Sequence, residues 1–164
     1  MSRLVIVLAT HHELQGAEKR IGYLADPFYP MLLEQLIGDE GVDFVFEEAS
    51  GLGPTIAEKL SLDKLGSGRY WDVDPSADER KTLGIPTKSN EPFMLGTPPN
   101  ATFADWQFPD VHARREGVWI QRMSGKEFKK ALFICGIAHG LSFSFRLQSS
   151  NFTVKSVTYT KAIR

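Results

Sequence analysis

The chain has 164 residues, a formal net charge of −1 at pH 7, and a composition that is 42% hydrophobic and 24% charged. That length suits one domain with a single core, and the near-zero charge gives no general attraction to nucleic acid or to an anionic membrane, so neither is expected as a partner. No apolar run approaches the roughly 20 residues that a membrane-spanning helix needs.

In chain order, the first apolar run covers residues 4–9 and stops at Thr10-His11-His12-Glu13. It reads as a strand rather than a secretory leader, because it is short and no small-residue cleavage pattern follows it. Asp26-Pro27 opens a helix that stops at Gly38. A second strand, 42–46, runs into Glu47-Glu48. Pro54 opens a helix through Ile56, Leu60 and Leu62 that ends near Gly66. Residues 70–73 form a third strand, with Asp72 in it and Asp74 after it. Asp74-Pro75 starts a short helix that closes at Gly84. The stretch 84–108 is rich in Pro, Gly and Asn and has no clear period, which is the pattern of a lid or mobile loop. A helix over 109–123, a strand over 131–135 and a helix over 138–148 follow. The more alternating run 153–160 fits a last strand at a sheet edge.

The order strand, helix, strand, helix predicts an α/β fold. A mostly parallel central sheet is flanked by helices in a single-domain sandwich over residues 1–164. The first, second and fourth strands lack two-residue alternation, as expected of strands covered on both faces. Cys135, the one cysteine, lies in the apolar run 131–135, cannot pair within the chain and is expected to pack as a small hydrophobe in a reducing, cytoplasmic compartment.

In a parallel sheet the C-terminal strand ends share one edge, where ligands bind. Four predicted ends deliver titratable groups there: His11 and His12, Glu47 and Glu48, Asp72 and Asp74, and His139 after Gly136. Two neutral imidazoles and a carboxylate can hold a divalent metal with one position open to water, and the same groups without metal can act as base and orienting partner. His12, Glu47 and His139 are the candidate ligands for Mn, Zn or Co, and the residues alone leave both options open. Adjacent residues on a strand face opposite ways, so Glu47 and Glu48 cannot both aim at one point. Glu47 is read as the inner carboxylate because it continues Val45-Phe46, with Glu48 behind it. Arg115 shares a helical stripe with Val111, Val118 and Trp119 and needs an acidic partner: Glu47, Asp72, Asp74 or a substrate oxyanion. There is no phosphate-binding loop, no dinucleotide fingerprint and no nucleophile elbow.

These segments, in this order, resemble the superfamily that groups TraB and TIKI-type metalloproteases, ChaN-like haem-binding proteins and erythromycin-esterase-like hydrolases. Ala9-Thr10-His11-His12 resembles its Gly-Thr-x-His motif, Phe44-Val45-Phe46-Glu47 its apolar strand ending in Glu, Arg115-Glu116-Gly117-Val118-Trp119 its arginine-bearing helix, and Gly136-Ile137-Ala138-His139 its Gly-Ala-Ala-His. Ala9 stands where the glycine is usual and Trp119 where the methionine is. The resemblance implies a parallel-rich sheet and hydrolysis by a His/Glu centre, metal-assisted in the TIKI-like branch. The expected function is thus hydrolysis of a peptide or ester bond in a peptide or small-molecule substrate. Glu47, His139, Arg115 and His12 would be catalytic, with His11, Glu48, Asp72, Asp74 and Gly136 around them. The alternative is a binding module for a small anionic ligand or haem.

Overall fold

The computed structural model describes residues 3–16, 26–49, 53–85 and 109–160. Its elements in chain order are β1 (Leu4–Thr10), α1 (His12–Gln15), α2 (Phe28–Gly38), β2 (Phe44–Glu47), α3 (Ile56–Leu65), β3 (Tyr70–Asp72), α4 (Ala77–Thr82), α5 (Pro109–Ser124), β4 (Lys130–Gly136), α6 (Ile137–Ser149) and β5 (Thr153–Thr158). The five strands form one sheet in the order β3-β2-β4-β1-β5, and every pairing in it is parallel. The expected α/β fold with helices flanking a parallel sheet is therefore what forms. β5 lies at an edge, as its alternation predicts. Residues 86–108 of the expected lid lie outside the described residues.

Local chemistry explains several boundaries. Thr55 accepts a hydrogen bond from the Glu58 amide and so caps α3. Ser76 and Glu79 form a reciprocal capping box at the start of α4, which moves that helix two residues past the expected Asp74-Pro75 start. Freed from the helix, Asp74 faces inward. Among the described residues no helix is long and apolar enough to cross a membrane.

The sheet separates two apolar layers by strict alternation. Val5 and Val7 of β1, Phe44 and Phe46 of β2, and Ala131, Phe133 and Cys135 of β4 pack with Trp119 and Met123 of α5 and Phe143 and Leu147 of α6. Ile6, Leu8, Val45, Leu132 and Ile134 pack on the other face with Leu33, Leu36 and Ile37 of α2 and Ala57 of α3. Each fully buried side chain of this size contributes roughly 1.5–3 kcal/mol. Helices α2 and α3 thus cover one face, and α5 and α6 the other. Connections leaving β1 and β2 on one face, and β4 on the other, open a crevice at their C-terminal ends, which is where open α/β sheets bind ligands.

Candidate active site

The two adjacent glutamates part company at the end of β2. Glu47 shares the face of Val45 and points to the α2/α3 layer, where it is fully buried. Its Oε2 accepts from Thr55 Oγ1 at 2.5 Å and from the Tyr70 hydroxyl at 2.9 Å, and its Oε1 accepts from Gln15 Nε2 at 3.1 Å. Burial pushes its pKa up from 4.5 to about 7, against the lowering effect of these three hydrogen bonds. Glu48 emerges on the opposite face. Its amide still bonds to the Ile134 carbonyl at 2.9 Å, so the strand's alternation persists through it.

Glu48 is where the strand ends meet. Gly136, the last residue of β4, donates its amide to Glu48 Oε2 at 2.8 Å. Glu48 Oε1 lies 2.5 Å from Arg115 Nη2, 3.6 Å from His12 Nε2 and 3.8 Å from His139 Nε2. None of these contacts is an aligned hydrogen bond, so this buried oxygen keeps accepting capacity. The expectation that Glu47 is the inner carboxylate is therefore corrected. Arg115 and His139 belong to α5 and α6, and the residue that shares their face is Glu48.

The two histidines are held in defined tautomers. His12 Nδ1 lies 2.6 Å from Gln15 Oε1, an acceptor only, so Nδ1 carries the proton and Nε2 presents its lone pair. The Gln15 amide is itself oriented by its donation to Glu47 and to the Glu48 carbonyl. Glu47 thus reaches His12 through Gln15. His139 Nδ1 lies 2.9 Å from Glu116 Oε1, and its Nε2 lies 3.3 Å from Arg115 Nη1, a donor only. Its proton belongs on Nδ1 by the same reasoning.

Arg115 is bidentate to Asp74, with Nε to Oδ1 at 2.7 Å and Nη2 to Oδ2 at 2.8 Å. Burial would raise the Asp74 pKa, but Arg115 and then Arg80 outweigh it and hold the carboxyl below its ordinary value. Trp119 donates its indole N–H to Asp74 Oδ1 at 3.3 Å and presents an edge contact to His139, with ring centroids 4.8 Å apart. Asp74, one of the partners expected for Arg115, is its bidentate partner. Asp72 accepts from the Ala49 and Asp74 amides and shapes the turns around it. His11 is exposed, and its side chain makes no capping bond to α1.

Gly136 has a steric role: a Cβ there would stand 2.7 Å from His12 Nε2. The expected metal set of His12, Glu47 and His139 does not converge. Both Glu47 oxygens are committed on the far face, and the guanidinium of Arg115 sits against Glu48. Among the described residues, the three donors within 4.8 Å of one another are instead His112, Glu116 and His139.

Gln15, Thr55, Tyr70 and His112 were not anticipated from sequence, and Glu116 entered only as the neighbour of Arg115 in the helix motif. Two carried a local signal: Gln15 lies three residues after His12, and His112 lies four before Glu116, so each pair shares a helical face. Cys135 is fully buried, and burial pushes its thiol well up, which makes it a poor nucleophile. Comparison with protein-family models and with curated proteins gives no match to this chain.

Proposed function

We propose that the crevice hydrolyses an ester or peptide bond in a peptide or small-molecule substrate, with His12 as the base that activates water. The observation that carries this reading is the convergence of His12 after β1, His139 after β4 and Arg115 of α5 on one buried oxygen of Glu48, at the end of β2. The strand-end motifs that resemble the TraB, TIKI and erythromycin-esterase-like superfamily point the same way.

His12 is the outermost member, its side chain 45% exposed, while that of Glu48 is 1% exposed. A proton taken from water at His12 Nε2 makes an imidazolium, which the Glu48 carboxylate 3.6 Å away stabilises. The resulting hydroxide attacks the carbonyl carbon, and the imidazolium then returns the proton to the leaving group. Of the five N–H bonds of Arg115, two go to Asp74 and one to His139, while Nη2 also lies 2.5 Å from Glu48 Oε1 as an ion pair. The remaining Nη1 hydrogen is the donor for the oxyanion. Because two carboxylates already compensate the guanidinium, the site favours a transient oxyanion over capture of an anionic ligand or haem. The buried single cysteine supports a reducing, cytoplasmic setting.

The test is turnover on a panel of esters and peptides. His12→Asn and Glu48→Gln should each lower kcat by roughly 100-fold or more, the scale of general-base assistance. A wild-type chain that hydrolyses no member of the panel, or variants that match it, would refute the proposal.

A further inference from the structure

We propose that His112, Glu116 and His139 form a separate cation site, which takes one divalent ion of the zinc class and sets the tautomer of His139. This inference does not depend on hydrolysis in the crevice. His112 and Glu116 stand four residues apart on α5 and share one helical face, and His139 enters from the first turn of α6. One donor atom from each lies within 4.8 Å of the others. Two imidazoles and one carboxylate are a donor set suited to Zn²⁺ and leave a fourth position open. The His112 and His139 rings lie side by side, with centroids 4.3 Å apart and 33° between their planes, so both can present nitrogens to one side.

The ligands are already braced from outside. Ser142 Oγ donates to Glu116 Oε1 at 2.6 Å, and Arg146 Nε lies 2.8 Å from Glu116 Oε2. Such outer contacts orient a ligating carboxylate. Two arginines lie near a cation here, but Arg115 is compensated by Asp74 and Glu48. Arg146 is 45% exposed, so solvent screens it. Glu116 is fully buried and His112 is half-buried, which leaves the His112 side as the way in.

The nitrogen of His139 that faces Glu116 is Nδ1, which carries the ring proton without the ion. Coordination there needs the Nδ1 lone pair, so the proton moves to Nε2 and none is lost from the ring. Nε2–H then confronts Arg115 Nη1, a second donor, and faces Glu48 Oε1 at 3.8 Å. Ion occupancy thereby exchanges a contact from Arg115 to His139 for one from His139 to Glu48, and couples the cation site to the crevice.

The experiment titrates the full chain with Zn²⁺ alone by calorimetry and follows the histidines by long-range ¹H–¹⁵N correlation. One Zn²⁺ per chain is expected, with His139 passing from the Nδ1–H to the Nε2–H form. His112→Gln should weaken binding by roughly 100-fold or more, beyond the loss typical of an outer-shell partner. Glu34→Gln, at an exposed carboxylate of α2, should leave it unchanged. Absence of binding, equal affinity in His112→Gln, or a His139 that keeps its Nδ1 proton under saturating Zn²⁺ would each overturn the proposal. The last readout uses the wild-type chain and stands even where the variant fails to fold.

Discussion

Arg115 carries two buried carboxylates at once. Removing its side chain leaves, among the described residues, Arg80 as the ion-pair partner of Asp74 and no Lys or Arg in contact with Glu48. Breaking a buried pair from one side costs about 3–5 kcal/mol, so Arg115→Ala should lose that much in urea denaturation, and a loss under about 1 kcal/mol would contradict the geometry. Glu47 makes the opposite contribution. Its carboxyl is ordinary in the unfolded chain, near 4.5, and raised to about 7 when folded. Below pH 4.5 it is protonated in both states. As pH rises toward 7 the unfolded chain releases the proton and the folded chain keeps it, so stability falls by about 3 kcal/mol across that window and then levels off. Glu47→Gln should flatten this part of the stability curve, and an unchanged fall from pH 4.5 to 7 in the variant would show that another group titrates. The exchange of roles between Glu47 and Glu48 turns on a single-residue step. That the two face apart was legible in sequence, but which face holds Arg115 and His139 depends on which side of the sheet α5 and α6 cover.

At the scale of elements, close approach decides where α6 starts and how it lies on β1. A Cβ at Gly140 would come within 2.6 Å of the Ala9 Cβ, a contact between groups with no rotamer to change. Gly140→Ala should therefore destabilise the chain by about 1–3 kcal/mol, the usual cost of overpacking. Ala9→Gly should restore most of it in the double variant, and additive losses would show that the two sites do not meet. Gly136→Ala presses on the base instead, since its Cβ would stand 2.7 Å from His12 Nε2. The Gly136 φ of −60° suits any residue, so kcat should fall while Tm stays nearly unchanged. Elements with strong punctuation were legible, such as α2 between Pro27 and Gly38. The single turn α1 was not, because four residues between a strand and Gly16 carry no helical period.

For the whole molecule, the strand order β3-β2-β4-β1-β5 is what assembles the site. β4 inserts between β2 and β1, which sets Glu47 beside Ile134 and Thr10 beside Gly136 in register. His12, Glu48 and Gly136 become neighbours although 36 and 88 residues of chain separate them in turn. Alternating strands and helices announce a parallel sheet, and the polar strand ends announce the edge that holds the candidate site. Nothing in the local pattern says that the fourth strand goes between the first two, and so the pairings of His139 with Glu116 and of Gln15 with Glu47 emerge only in three dimensions. The central claim is that Glu48, and not Glu47, is the carboxylate of a hydrolytic site. It is tested most directly by kcat on a hydrolysed ester for Glu48→Gln and Glu47→Gln, each confirmed folded by circular dichroism. The geometry predicts a loss of roughly 100-fold or more for Glu48→Gln and less than about 10-fold for Glu47→Gln, which acts on His12 only through Gln15. The reverse order, or a Glu48→Gln variant as active as the wild type, would contradict it.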